Sequence, residues 1–257
     1  SLKIDLQELD FNEISEFWHE QNLNYGSLEK MQLLSLTGGV PKYLEEIDVK
    51  QTIEQNIIRL CFNESGFLYN EFKHIFLNIF ERKSKTYEKI IRYCLDQKLS
   101  PVELAKKMKM VQNSDLSENI HNLELSGFLG RDFYFKPDGE VSKLSQLRVK
   151  DNYLRFYLKY IEPLRAKIEK GGKPVRSLTD IKNFESLMGF QFENLILKNR
   201  EKIYPALDLQ AQQIVSAAPY KQNKTTVNKG ACQIDLLIHT NLDTFFLCEL
   251  KCRKRID

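Results

Sequence analysis

No run of about 18 or more consecutive apolar residues occurs in this 257-residue chain, so no segment has the length of a membrane span. No signal peptide is visible in these residues, and membrane partners are not expected. Cysteine is scarce. Cys61, Cys94, Cys232, Cys248 and Cys252 form no Cys-x-x-Cys pair and have no histidines at structural-zinc spacing, which leaves reduced thiols and a cytoplasmic protein as the expectation. His19, His74, His121 and His239 are not spaced as a ligand set either; only His239 stands near other polar groups of interest. A phosphate-cradling Gly-x-x-x-x-Gly-Lys-Ser/Thr loop is absent as well. Lys170-Gly-Gly-Lys-Pro174 has neither its spacing nor its hydroxyl, so ATP hydrolysis by this chain alone is not expected.

A hydrophobic fraction of 42% over this length supports two or three domains with cores of their own. The net charge of +3 hides an asymmetry. Residues 1–50 hold ten acidic against four basic side chains, whereas residues 151–257 hold eighteen basic against twelve acidic. Lys221, Lys224 and Lys229 in one polar stretch, and Arg253, Lys254 and Arg255 at the end, are therefore candidate contacts to a phosphate backbone. The ordinary alternative is a set of solvated charges.

The N-terminal third reads as helical. Phe11 to Trp18 and Leu28 to Leu36 are amphipathic, and Gly38-Gly39-Val40-Pro41 ends the second stretch. Between about Lys85 and Lys150 the pattern suggests a winged helix-turn-helix. Tyr87–Leu95 is one helix, Ser100-Pro-Val-Glu103 is a capping box opening a second to Met108, and Ser114–Leu125 is the third. Gly127–Phe135, a Pro137-Asp-Gly139 turn and Val141–Val149 make the wing. The third helix has no Lys or Arg but carries Asp115, Glu118 and Glu124, so it is expected to face protein rather than base edges. Arg131, Lys136, Lys143 and Arg148 remain as candidate backbone contacts on the wing, and Met108 and Met110 read as core or near-core.

Asp151–Leu164 reads as a long helix with Tyr153, Phe156, Tyr157 and Tyr160 on one wide core stripe, and residues 169–177 as a linker. Gln212–Pro219 would be the first strand of the last domain.

The most informative stretch is Gln233–Lys251. Two period-two strands flank Asn241-Leu242-Asp243, and a three-residue turn there would set Asp235 directly opposite Glu249, with Lys251 following on the same face. Like charges so placed destabilise a sheet unless compensated. A divalent cation would compensate, and Asp235 and Glu249 are the candidate metal ligands. A plain solvated face, with Glu249 paired to Lys251 or another base, is the alternative.

Asp, a dozen residues and Glu-x-Lys at the end of an apolar strand resemble the PD-(D/E)XK nuclease superfamily. In that superfamily a glutamate precedes the sheet on a helix, and Gly189-Phe-Gln-Phe-Glu193 is similar, with Gly189 expected to allow close helix approach. A second resemblance covers essentially the whole chain. Leu36-Thr-Gly-Gly-Val-Pro-Lys-Tyr-Leu44, Asn56-Ile-Ile-Arg-Leu60 and Asp151-Asn-Tyr-Leu-Arg-Phe156 resemble the C-terminal half of archaeal-type AAA+ ATPases, in which a winged helix precedes a nuclease-like domain.

These resemblances imply an α/β multidomain chain. It comprises a helical lid remnant (1–84), a winged helix-turn-helix with its following helix (85–168), and a partial restriction-endonuclease-like αβββ unit (178–257). They imply a phosphodiesterase dependent on Mg²⁺ or Mn²⁺, with Asp235 and Glu249 on the metal, Lys251 as electrostatic stabiliser and Glu193 as a further carboxylate. The expected partners are nucleic acid, DNA favoured, and an ATPase core absent here, through which alone ATP would enter; an oligomer is open. The chain opens on Ser1-Leu2 without methionine and stops six residues after Lys251, as expected of a piece of a longer protein with an incomplete catalytic sheet. A non-catalytic module that binds nucleic acid or protein, or a scaffold that oligomerises through the acidic helix, are the alternatives.

Overall fold

The computed structural model describes residues 8–20, 25–79, 84–110, 113–135, 141–222 and 232–252. Helices α1 (Phe11–Glu20), α2 (Ser27–Thr37), α3 (Pro41–Glu45), α4 (Ile53–Cys61), α5 (Phe67–Ile79), α6 (Ser84–Cys94), α7 (Pro101–Lys107) and α8 (Ser114–Leu125) come first. Strands β1 (Leu129–Phe135) and β2 (Val141–Val149) follow, then α9 (Asn152–Phe156), α10 (Arg165–Ile168) and α11 (Phe184–Lys198). Strands β3 (Ile214–Gln222), β4 (Cys232–Thr240) and β5 (Phe245–Cys248) close the order. The protein is thus α/β, with two small antiparallel sheets, β1-β2 and β3-β4-β5. Among the described residues no helix is long and apolar enough to cross a membrane.

The chain divides into two compact units. Described residues up to Ile79, together with Asn152–Leu195, form the first; Ser84–Asp151 and Ile196–Cys252 form the second. Residues 169–177, expected as a linker, therefore have first-unit chain on both sides. Val175 is buried within them.

In the first unit the helix starts follow local chemistry. Thr52 caps α4 by accepting the Gln55 N–H at 3.2 Å, and Gln55 returns the bond to the Thr52 N–H at 2.9 Å. Gly38 ends α2 with φ +62°, and a Cβ on Gly39 would collide with the Leu9 carbonyl. The Asn56-Ile-Ile-Arg59 string has a structural task. The buried Asn56 amide donates to the Asp48 carbonyl at 2.9 Å and accepts the Asp48 N–H and an Arg59 N–H, both at 2.8 Å, stapling the preceding loop to α4.

Three of the four aromatics of the expected stripe, Tyr153, Phe156 and Tyr157, are buried, and Tyr157 stacks on Phe72 with centroids 4.2 Å apart, whereas Tyr160 is only half-buried. The long helix expected over Asp151–Leu164 is interrupted. After α9 it widens to a π-helical stretch, Tyr157–Ile161, and then tightens to a 3₁₀ turn at Glu162–Leu164. Pro163 is the physical reason, because it has no N–H to donate and its ring crowds the carbonyl one turn back.

α11 buries Leu187, Met188 and Leu195, and also Gln191 and Asn194. Gln191 donates to the Asn152 carbonyl at 2.6 Å and Asn194 donates to the Asn152 side chain at 3.3 Å, so this helix docks partly through amides. Gly189 has open space around it, which corrects the expectation of a close approach there.

Glu54 ties α4 to the Ser177 turn, accepting the Leu178 N–H and the Ser177 hydroxyl, both at 2.7 Å. The backbone bond first, and the hydroxyl second, hold its carboxyl below the ordinary glutamate range. A depressed carboxylate stabilises fully above its unfolded pKa of about 4.3 and loses that contribution as pH falls through the folded value. Glu54→Gln is expected to lower the urea midpoint of the first unit at pH 7, with the gap from wild type closing below about pH 4. Equal midpoints at pH 7 would refute this.

In the second unit, Ser100 caps α7 in the expected box with Glu103, and Asn113 caps α8 through a 2.9 Å bond from Leu116. β1 pairs with β2 from Leu129↔Val149 to Phe135↔Val141, and Leu99 bridges Leu147. β1 also runs beside β3, which joins the hairpin to the three-stranded sheet in one unit. Two arginines of the β1–β2 hairpin are engaged: Arg131 pairs with Glu124 at 2.6 Å, and Arg148 with the buried Asp132 at 2.9 Å. That removes both as open phosphate contacts. Lys136 and the Pro137–Gly139 turn lie outside the described residues, as does the side chain of Lys143. Met108 is buried, whereas Met110, expected near the core, is exposed.

Candidate functional site

The site is carried by β4 and β5, whose register decides which side chains share a face. Leu236↔Cys248, Leu237↔Leu247, Ile238↔Phe246 and His239↔Phe245 are partners. Asn241-Leu242-Asp243 is the turn, with the Thr240 N–H bonded to the Thr244 carbonyl at 3.0 Å and Asp243 at φ +54°. Leu236, Ile238, Phe246, Cys248 and Leu250 pack into one core with Leu197 and Tyr204. The alternating set Leu237, His239, Phe245, Leu247 belongs to the other face.

The ladder ends at Leu236↔Cys248; one step further along the same register sets Asp235 against Glu249. On its other side β4 carries a bulge that sequence reading missed. Ala218 pairs with Leu237 and Tyr220 with Ile234, so Asp235 and Leu236 together oppose Pro219. Proline has no N–H for the ladder, and an extra residue in the facing strand absorbs the lost bond. Pro219 inside a strand was the available signal. The bulge bends β4 at Asp235, half-buried, whose Oδ2 accepts the Leu250 N–H at 2.9 Å. That bond caps the chain where β5 has ended.

Glu249 is exposed, and its Oε1 lies 2.7 Å from the Lys251 Nζ. The three side chains therefore sit at one strand end, with Lys251 as counterion to Glu249. Among the described residues no group of three or more His, Cys, Asp or Glu is placed to hold a metal. Two carboxylates still form a donor set suited to Mg²⁺ or Mn²⁺, which take oxygen ligands and keep several waters. Asp235 Oδ1 has no protein partner among the described residues, and the Glu249 side chain reaches solvent.

Glu193 is half-buried on the part of α11 that belongs to the first unit, whereas Asp235, Glu249 and Lys251 belong to the second. Lys221 lies in β3 opposite Gln233, its side chain undescribed. Lys224, Lys229, Arg253, Lys254 and Arg255 fall outside the described residues.

His239 is built in tightly. Its ring is buried, its Nε2 lies 3.2 Å from Asp243 Oδ1, and it stacks on Phe245 with centroids 4.3 Å apart and planes 5° from parallel. Burial raises the thiol pKa of Cys248 and Cys252, keeping both protonated and unreactive at neutral pH.

No family model matches the chain, and no solved structure matches it. It is 25% identical over 195 residues to an uncharacterized protein, MJECL04, of Methanocaldococcus jannaschii. The alignment covers 75% of this chain and 41% of that protein, so the chain spans less than half the length of this relative.

Proposed function

We propose that residues 178–257 are a nuclease-like module acting on nucleic acid with Mg²⁺ or Mn²⁺, and that the chain is part of a larger ATP-driven protein. The observation that carries this reading is the β4–β5 register, which brings Asp235 and Glu249 to one strand end with Lys251 two residues on. In it Asp235 and Glu249 supply oxygen donors. A bound divalent ion would lower the pKa of its water and draw charge from a phosphoryl oxygen. Lys251, released from Glu249, places an ammonium charge beside the phosphate being attacked. Lys221, Lys224, Lys229, Arg253, Lys254 and Arg255 follow the backbone, with DNA the favoured substrate. Helices α6–α8 followed by the β1–β2 hairpin support a winged-helix reading of the preceding segment. Its acidic α8, with Glu124 already paired to Arg131, favours protein over base edges as its contact.

A second reading is favoured by the same bonds. Asp235 caps Leu250 and Glu249 pairs with Lys251, which is also how a binding module without turnover would use these groups. Calorimetric titration of Mn²⁺ into wild type and Glu249→Gln separates the two. Wild type is expected to bind and cleave DNA. In Glu249→Gln, metal affinity is expected to fall by more than the roughly 10- to 100-fold that even outer-shell partners contribute. Absence of any metal heat, with nucleic-acid affinity intact, would establish the second reading.

A further inference from the structure

Residues 167–182, all within the first unit, carry five cations, Lys167, Lys170, Lys173, Arg176 and Lys182, against two acids, Glu169 and Asp180. The five cations are exposed, and among the described residues none of their side chains makes an ion pair. Both acids are already engaged. Glu169 Oε1 lies 3.0 Å from Arg165 Nη2, and Asp180 Oδ2 accepts the Arg176 and Ser177 N–H groups at 2.8 and 3.1 Å. An ordinary solvated face mixes the two signs, whereas here one sign is left outward. The chain that presents it is held in place. Ile168, Val175 and Ile181 are buried anchors. Gly171, at φ +78°, turns the chain after α10 with its N–H bonded to the Ile168 carbonyl at 2.8 Å, and the Gly172 N–H reaches the Lys167 carbonyl at 3.0 Å. Glu54 then fastens Ser177 and Leu178. The backbone under the cations is ordered before any partner arrives, and only side-chain freedom is left to lose.

From this we infer that the 167–182 loop is a sequence-independent contact for the phosphate backbone of nucleic acid. The inference goes beyond the reading above, which draws its contacts from other residues, and it holds whether or not the Asp235 site binds metal. Chemistry selects the occupant. Protein interfaces have an apolar, charge-poor centre, and membrane-surface elements insert apolar side chains beneath their cations. Neither feature is present: between Leu144 and Phe190 no large apolar side chain is exposed among the described residues. A phosphate backbone requires cations alone, offers one negative charge per about 1.7 Å of duplex, and releases counterions when it is neutralised. Lys167, Lys170, Lys173 and Arg176 recur at every third position, which spreads the charge along the loop instead of concentrating it at a single anion site. The stretch contains no aromatic, Asn or Gln, so beyond Arg176 it has nothing with which to stack on or read a base.

The test is fluorescence anisotropy of the whole chain with a labelled duplex of mixed sequence, in EDTA, so that neither metal nor cleavage contributes. Neutralising three cations together, Lys170→Gln, Lys173→Gln and Arg176→Gln, should make the slope of log affinity against log salt shallower by about 2 to 3, at about 0.9 per lost phosphate contact. Raising salt from about 50 to about 200 mM then lowers the affinity of the variant about 40-fold less than that of wild type. The effect should be the same on a duplex of unrelated sequence. The charge-keeping set Lys170→Arg, Lys173→Arg and Arg176→Lys should bind as wild type, and matching urea midpoints followed by the buried Trp18 confirm that the first unit is folded in both. An unchanged salt slope in the glutamine variant, a charge-keeping variant as weak as the glutamine variant, or no duplex binding by wild type would each overturn the inference. So would loop-dependent binding to phosphatidylserine vesicles or to polyglutamate at least as tight as to the duplex, which would assign the loop to a membrane surface or to an acidic protein. Failure of Mn²⁺ to bind removes the cleavage reading and leaves the loop standing; an unchanged slope with duplex binding intact removes the loop alone.

Discussion

Asp235→Asn is expected to abolish metal-dependent cleavage while leaving the protein folded, and Asp235→Ala to cost both activity and stability. The difference comes from the two tasks of one carboxylate. Oδ2 accepts the Leu250 N–H at 2.9 Å, a bond that an asparagine oxygen can still make. The charge needed to hold a divalent ion is lost in either variant. Alanine also strips Leu250 of its acceptor at the end of β5, at a cost of about 1–3 kcal/mol where water cannot replace it. Cleavage is expected to fall by at least about 100-fold in both, the scale on which single electrostatic contributors act in active sites. Thermal unfolding of the two variants, read beside cleavage, separates the tasks. Full activity in Asp235→Asn would end the metal reading and leave the carboxylate as a strand cap.

Tyr153→Ala is expected to destabilise the first unit by about 3–5 kcal/mol, the range for large aromatic truncations in a core. The Tyr153 ring is 1% exposed, sits 5.3 Å from Tyr43 between centroids, and its hydroxyl donates to the Leu68 carbonyl at 2.7 Å. Burial raises the phenol pKa, so the hydroxyl stays a donor throughout the accessible pH range. Tyr153→Phe keeps the ring and removes one of the two donors to the Leu68 carbonyl, which retains its helical partner in α5, for about 0.5–1.5 kcal/mol. Trp18 makes the measurement specific. It is the sole tryptophan, buried on α1 of the first unit, so its fluorescence during urea denaturation follows that unit. A loss below about 1 kcal/mol for Tyr153→Ala would mean that the aromatic stripe is not the centre of this core.

Legibility differed sharply between elements. The Ser100 box and the Ser114–Leu125 helix lie where the sequence predicts, since capping and helical periodicity depend on residues three or four apart. The Leu236–His239 pairing with Phe245–Cys248 was legible too, because a short turn of known length leaves one register. The bulge at Asp235 was not, because it depends on Pro219 in another strand. Nor was the polar docking of α11: Gln191 and Asn194 find their partner only when Asn152 is brought to them from about forty positions away.

Short-range rules were sufficient to locate α1, α2 and α6–α8, the two hairpins and the strand end bearing Asp235, Glu249 and Lys251, since those rules act between neighbours along the chain. Packing alone settled which segments join: Asn152–Leu195 with the N-terminal helices, the β1–β2 hairpin with the β3–β5 sheet, Arg131 and Arg148 with carboxylates instead of solvent, and Phe245 flat on His239. Those outcomes depend on how buried surface, hydrogen-bond partners and charge are satisfied together in three dimensions, and no window of consecutive residues contains that information.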